Sequence, residues 1–224
     1  MSAVEVRVED DPQNAAADLL VAAVRRGGHV ALCGGATPAR AYELAAALEP
    51  DWSRAHIWWG DERAVPPEDD ESNYRLVKEH LLDRLERQPF VHRVNAELGA
   101  ALAADAYDEE LRGTSLDLVL LGIGPDGHTA SLFPQAPSLK VEARVVVAAA
   151  GPPPEVGPPV DRITMTIPMI ASAQQVVFLV TGTSKADVVR RAFDAEPDEA
   201  TPASLVRSSR ETVALLDRDA ALLL

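Results

Sequence analysis

The sequence predicts an α/β protein built on a mostly parallel sheet. Short apolar runs recur at His29 to Cys33, Ala55 to Trp59, Asp117 to Leu121 and Gln175 to Thr181. Each run stops at or next to a glycine, and helical apolar spacing then follows in several of these units. Repetition of strand, glycine turn and helix calls for crossover connections, which lay successive strands parallel. No internal repeat, low-complexity tail or second core is visible, so residues 1–224 are expected to form a single α/β domain.

The elements follow in order. Val4 to Val8 alternates apolar and polar residues, the period of a strand. Asp11-Pro12 is a helix start, with Asp as N-cap and Pro at the first helical position. Ala16, Leu19, Leu20, Ala23 and Val24 continue that helix to Gly27-Gly28. The strand His29 to Cys33 meets Gly34-Gly35-Ala36-Thr37-Pro38, with Thr37 as expected N-cap of a second helix through Leu48. The strand Ala55 to Trp59 ends at Gly60-Asp61-Glu62-Arg63, and a polar loop rich in acids leads to Ser72-Asn73 and a helix to about Leu85. Glu97 to Leu111 reads as a helix, Asp117 to Leu121 as a buried strand and Arg144 to Ala149 as a further strand.

Gly151 to Pro159 holds five prolines and two glycines and is expected to be an exposed loop within the domain. Arg162 to Thr166 reads as a short strand. Gln175 to Thr181 follows as a strongly apolar one, and Ser184 to Phe193 as a helix with Ser184 as N-cap. Ala203 to Val206 is a helical turn and Thr212 to Leu216 the last strand.

The bulk numbers bound the function. Of 224 residues 47% are hydrophobic, enough for a sizeable core, but only 4% are aromatic, so Ala, Val and Leu must fill it. With 21 basic and 35 acidic residues the formal charge is −14, which argues against nucleic acid and anionic membranes as partners. An anionic ligand therefore needs Arg or Lys converging locally against the global field. Cys33 is the single cysteine, so no internal disulfide can form, and the stretch Met1 to Asp11 has no apolar segment of signal-peptide length. No run approaches the ~20 apolar residues of a membrane helix, and a cytoplasmic protein is expected.

The stretch with most chemistry is Gly122-Ile123-Gly124-Pro125-Asp126-Gly127-His128-Thr129-Ala130-Ser131-Leu132-Phe133-Pro134. It delivers an Asp and a His two residues apart at a strand end, where sites in open α/β sheets form. Histidine titrates near neutrality and suits general-base work, with Asp126 accepting from one ring nitrogen or holding a water. Gly34, Gly35 and Thr37 open a helix whose N–H groups and dipole favour an anion. Asp61 suits a sugar hydroxyl, and Arg63 a phosphate or carboxylate. Arg162 and Lys185 stand at strand edges. Lys185, in a helix's first turn, opposes the dipole unless an anion binds there. His29, His56, His80 and His92 lack metal-ligand spacing, and no metal site is expected.

Taken together, the motifs resemble a known family. CGGATP (33–38), GDERAVP (60–66), SN (72–73), GIGPDGHTASLFP (122–134), RITMTIP (162–168) and GTSKA (182–186) occur in the order and spacing of the 6-phosphogluconolactonases. The likeness runs from about Leu32 to Phe193. It implies a three-layer αβα fold with a Rossmann-like sheet, similar to the glucosamine-6-phosphate deaminase fold. It implies a phosphorylated sugar lactone as substrate and no cofactor. Catalysis would fall to His128 and Asp126, with Gly34, Gly35, Thr37, Asp61, Arg63, Asn73, Arg162 and Lys185 in the substrate and phosphate site. A single copy is a plausible functional unit.

Two departures matter. The related deaminases follow their Asp-Gly-His with Phe-Asn-Glu-Pro, whose Glu takes part in catalysis. Here Ser131-Leu132-Phe133-Pro134 carries no acid, which favours hydrolysis over isomerisation. Cys33 and Ala36 replace the serines of the commoner Ser-Gly-Gly-Ser-Thr-Pro, leaving backbone N–H groups and Thr37. The rival readings are a sugar-phosphate isomerase or deaminase, with Asp61 or Glu62 as the extra carboxylate, and a non-catalytic sugar-phosphate sensor.

Overall fold

A computed structural model describes residues 3–224; Met1 and Ser2, the start of the acidic N-terminal stretch, lie outside the described residues. Among the described residues ten strands and six α-helices follow one another as β1 (Val4–Val8), α1 (Pro12–Arg25), β2 (His29–Leu32), α2 (Ala36–Leu48), β3 (His56–Trp59), β4 (Asp61–Arg63), α3 (Asn73–His80), β5 (Phe90–Val91), α4 (Ala100–Leu111), β6 (Leu118–Leu121), β7 (Val146–Ala149), β8 (Arg162–Met165), α5 (Ile167–Ala171), β9 (Gln175–Val180), α6 (Ala186–Phe193) and β10 (Glu211–Leu216).

Seven strands form one sheet in the order β1-β10-β9-β6-β2-β3-β5, and every pairing in it is parallel. The α/β class with a mostly parallel sheet is therefore as expected. All four residues of β6 are buried, and β9 is buried from Val176 to Val180. Strands covered on both faces read as unbroken apolar runs, which is how the sequence presents them. Trp52, Trp59, Tyr42 and Phe178 are the largest fully buried side chains among the Ala, Val and Leu of the core. Burying a side chain such as Phe178 stabilises by about 1.5–3 kcal/mol.

The sheet order places the site. From β2 the chain passes to β3 on one side, whereas β6 lies on the other. Such a reversal opens a crevice beyond the carboxyl ends of the strands, here between the turns that follow β2 and β6.

A second sheet, β4-β8-β7, is antiparallel and was not expected. Gly60-Asp61-Glu62-Arg63 is thus not a turn closing a strand. After Gly60 the chain enters a new strand, and Gly60 O accepts from Met165 N at 2.8 Å to join the two units. Side chains alternate across a strand. The register Asp61↔Thr164, Glu62↔Ile163, Arg63↔Arg162 therefore sets Asp61, Arg63, Arg162 and Thr164 on one face and Glu62 and Ile163 on the other.

Helix boundaries shift where the caps differ. Asp11 caps α1 as expected, accepting from Asn14 N at 3.0 Å. Thr37 does not cap α2: Gly35, with φ 109°, takes that place and the helix begins at Ala36. Ser184 does not cap α6, because Thr183–Lys185 form a 3₁₀ turn capped by Gly182. The helix expected from Glu97 starts at Ala100, since Gly99 at φ 84° separates it from a 3₁₀ turn. α3 stops at His80 instead of Leu85, with a 3₁₀ turn after it. β5 and α5 have too few residues to show a period.

At the opposite, amino-terminal end of the strands, three histidines stack. His29 and His56 stack with ring centres 4.2 Å apart and planes nearly parallel, the His56 ring centre lies 4.6 Å from that of Phe90, and that of Trp58 lies 3.9 Å from that of His92. Trp58 Nε1 donates to His29 Nδ1 at 3.1 Å, His56 Nδ1 meets His92 Nε2 at 2.9 Å, and His92 Nδ1 meets Glu110 Oε1 at 2.7 Å. Among the described residues no helix is long and apolar enough to cross a membrane.

Candidate active site

A cleft of about 330 Å³ opens at the carboxyl ends of β2, β6 and β9. Gly34, Gly35, Thr37, Asp61, Arg63, Asn73, His128, Arg162 and Lys185 all line it. Of the expected site residues only Asp126 stands back from its wall. Residues more than a hundred positions apart thus converge on one volume, sized for a small molecule.

His128 and Asp126 form a pair. His128 Nδ1 lies 2.5 Å from Asp126 Oδ1, and the same oxygen accepts from His128 N at 3.2 Å. A carboxylate on Nδ1 fixes the tautomer and leaves Nε2 with its lone pair. Burial pushes the Asp126 carboxyl up. The His128 hydrogen bond, its charge and its amide outweigh burial and hold the carboxyl below its ordinary value. Phe133 packs beside the imidazole, ring centres 4.9 Å apart.

The turn that carries the pair is tightly tied. Gly127 N donates to Gly124 O at 3.0 Å and Gly124 N to His128 O at 2.8 Å. Gly127 has φ 100°, and Ala130 holds the left-handed φ of 47° at the end of the turn. The spacing of Gly122, Gly124 and Gly127 matches a dinucleotide fingerprint, but that motif must open a helix onto the pyrophosphate. Here turns run on to Phe133 and only a 3₁₀ turn follows, at Pro137–Lys140.

The small sheet supplies the other wall. Arg162, 3% exposed, donates Nη1 to Val160 O and Nη2 to Pro158 O at 2.8 Å. Burial and the Arg63 charge lower its guanidinium from the usual value, partly offset by Asp61, Glu71 and Glu62. The proline-rich loop is therefore not merely exposed. Arg162 holds its carbonyls, and Pro152, Val156, Gly157 and Pro158 line the cleft.

Arg63 Nη1 donates to Glu71 O and to Asn73 Oδ1, both at 2.6 Å. Asn73 Nδ2 donates to Asp61 O at 2.9 Å and reaches Asp61 Oδ1 at 3.3 Å, while Asp61 Oδ2 accepts from Ser131 Oγ at 2.6 Å. A continuous chain thus runs from the His128 turn through Ser131, Asp61 and Asn73 to Arg63. Asp61 was expected to face a sugar hydroxyl; both its carboxyl oxygens already have protein partners. Ser131 joins the site without a sequence expectation of its own; its hydroxyl within the 122–134 motif is the available signal.

Glu62 is the buried acid behind this chain. Its oxygens accept from Arg63 N at 2.8 Å, Asn73 N at 2.7 Å, Tyr74 N at 2.7 Å and Ser72 Oγ at 3.2 Å. It therefore satisfies amides at the start of α3 and fixes Asn73. Burial pushes its carboxyl up, with those amides opposing.

The third wall is anion-favouring. Gly35 has no side chain to satisfy the first amides of α2, and Thr37 Oγ1 lies 3.1 Å from Thr181 Oγ1. Lys185 Nζ donates to Ile123 O at 2.8 Å. Burial lowers its ammonium from the usual lysine value, while the Asp126 charge works the other way. Cys33 lies at the cleft floor, where burial and the Asp61 charge push its thiol up to about 12, against hydrogen bonds from Tyr42, its own backbone and Gly122. Among the described residues no group of three or more His, Cys, Asp or Glu is placed to hold a metal ion.

Residues 7–215 match the family described as glucosamine-6-phosphate isomerases/6-phosphogluconolactonase. A 6-phosphogluconolactonase of Mycobacterium tuberculosis is 38% identical over 194 residues, covering 80% of this chain and 77% of that protein. A 6-phosphogluconolactonase of Homo sapiens is 38% identical over 179 residues, covering 75% and 68%. The solved structure of 6-phosphogluconolactonase from Trypanosoma brucei superposes with a TM-score of 0.86 at 27% identity, covering all of both chains. A match over nearly the whole chain, with its motifs gathered in one cleft, shows that the chain belongs to the glucosamine-6-phosphate isomerase/6-phosphogluconolactonase family.

Proposed function

We propose that this protein hydrolyses 6-phospho-D-glucono-1,5-lactone to 6-phospho-D-gluconate in the oxidative pentose phosphate pathway, in the cytoplasm. One observation carries the reading: a carboxylate-backed imidazole with a free Nε2 borders the cleft that Arg63, Arg162 and Lys185 also line.

A lactone is an ester, so an activated water suffices. His128 Nε2 takes a proton from water as its oxygen adds to the lactone carbonyl. The tetrahedral oxyanion draws on hydrogen-bond donors of the cleft. The amides of Gly124 and Gly127 are engaged within their own turn, so other donors meet it. The imidazolium then gives its proton to the ring oxygen as the carbon–oxygen bond breaks. General acid–base catalysis of this kind contributes roughly 10²–10⁴-fold.

Arg63, Arg162 and Lys185, with the Gly34–Thr37 turn, hold the phosphate. A charge-assisted hydrogen bond stabilises by about 1.5–3 kcal/mol, enough in sum to oppose the net charge of −14. Arg162 spends one N–H of each Nη on the proline-rich loop, which fixes the guanidinium and leaves its charge and remaining N–H donors for the phosphate.

The isomerase reading needs a second free carboxylate near His128. Asp61 is bound to Ser131 and Asn73, and Glu62 caps α3 on the far face of β4. The sensor reading gives no use to the Asp126–His128 pair. The test is lactone disappearance followed by NMR on freshly generated substrate. Acceleration over the spontaneous rate is expected, and its absence overturns the proposal. Ammonia released from glucosamine 6-phosphate would establish the isomerase class instead.

A further inference from the structure

We propose that Arg191 and Thr201 are positioning residues for the Asp126–His128 pair, an inference that rests on the proposed hydrolysis. The relevant groups are two carbonyls. Pro125 O belongs to the peptide that leads into Asp126, and Gly127 O to the peptide that leads into His128. Their orientation sets where the two side chains start.

Both carbonyls are held from outside the cleft by one stretch of chain. Arg191 Nη2 reaches Pro125 O at 3.3 Å, and Ala203 N donates to Gly127 O at 3.0 Å. Arg191 Nη1 donates to Thr201 Oγ1 at 2.8 Å and so ties the two supports together. Arg191 Nε is anchored on Asp187 at 3.0 Å. Thr201 is buried, and a Cβ built on Gly127 would stand 3.0 Å from its Cα, so this segment packs flush against the turn. The 3₁₀ turn Pro202–Ser204 is itself fixed, with Ser204 N on Thr201 O at 2.8 Å and Asp198 N on Ser204 Oγ at 2.8 Å.

The opposite side of the same turn is tied by Lys185 to Ile123 O and by Thr129 Oγ1 to Gly122 O. Neither of these bonds touches the peptides that carry Asp126 and His128. Arg191, Thr201 and Ala203 do not line the cleft, so they act on substrate only through the turn. A displacement of about 1 Å at a reacting group costs on the order of 10²-fold in rate. A bond from Arg191 is therefore worth more to turnover than to folding.

The experiment compares Arg191→Ala, Arg191→Lys and Thr201→Val with Val24→Ala, a core truncation in α1 that lowers stability away from the turn. Expected for Arg191→Ala is a fall in kcat of roughly tenfold or more with KM within about twofold. Its acidic limb in kcat/KM against pH should move to lower pH, as follows when a carboxylate no longer faces an imidazole. Arg191→Lys should recover part of kcat, Thr201→Val should fall between, and Val24→Ala should leave the limb in place. An unmoved limb, with kcat reduced no more than in Val24→Ala, overturns the proposal.

The second readout needs no turnover. The ¹⁵N-edited NMR signal of the His128 Nδ1 proton should be sharp in the unaltered protein and weakened in Arg191→Ala. If it is the same in both, the positioning role fails. If only the unaltered protein's lactonase activity is missing, the proposed function fails instead.

Discussion

Gly124 and His128 compete for the same space: a Cβ built on Gly124 would stand 2.1 Å from both Cε1 and Nδ1 of the imidazole. The backbone at Gly124 does not require glycine, since its φ lies outside the left-handed region. The ring requires it. Gly124→Ala should therefore expel His128 from Asp126 and lower kcat by about 10²-fold, with the melting temperature nearly unchanged. Steady-state kinetics beside a thermal melt checks this, and a variant with unaltered kcat would show that the ring finds another productive pose.

Catalysis and binding should separate by residue. Asp126→Asn can offer an amide N–H to Nδ1 and so remove the free lone pair from Nε2. It and His128→Ala should lower kcat by about 10²–10⁴-fold with little change in KM. Lys185→Ala and Arg63→Ala should instead raise KM by roughly 10- to 100-fold. Unchanged KM in both would remove them from the phosphate site.

Gly34 and Asn73 should behave as one unit. A Cβ on Gly34 would fall 1.8 Å from Asn73 Oδ1, the atom that accepts from Arg63. Gly34→Ala and Asn73→Ala should each raise KM by disordering Arg63. The double variant should be no worse than either single one, because the second change removes what the first disturbs. Additive losses in a double-mutant cycle would show two separate roles.

The histidine stack should make stability fall on acidification. Trp58 Nε1 can only donate, so His29 Nδ1 must keep its lone pair, and the bond between His56 and His92 holds a single proton. Burial lowers the His29 imidazole, with Asp117 opposing and His92 adding. Burial, then His29 and His92, lowers His56. Both folded values lie below the unfolded value of about 6.5. Their contribution is present above that value and is lost as pH falls through the folded values. Melts taken from pH 8 to pH 5 should show this, with a shallower slope in His56→Gln; equal slopes would sink the idea.

How much the sequence reveals depends on how local the physics is. β6 and β9 were legible because strands buried on both faces are apolar throughout. Asp126 and His128 were legible because two residues and a glycine bring them together. β4 was not, because Asp-Glu-Arg shows no apolar alternation and its pairing comes from β8, about a hundred residues on. The cap on α2 was misread because Gly35 at φ 109° does what Thr37 was expected to do. Glu62 and Asp61 look alike in sequence, yet the pleat sends one to the start of α3 and the other to the cleft.

The register of the small sheet sets Arg63 directly opposite Arg162. Like charges directly opposite one another on a sheet are destabilising, and here no acid sits between them in the ladder. The cleft wall thus holds a repulsion that a bound dianion cancels. Ligand occupancy should then report on protein lifetime as well as flux: at 100 times its dissociation constant, a ligand that binds only the folded state adds about 2.7 kcal/mol. Protease resistance measured across a titration of product would make the small sheet a gauge of how well supplied the enzyme is.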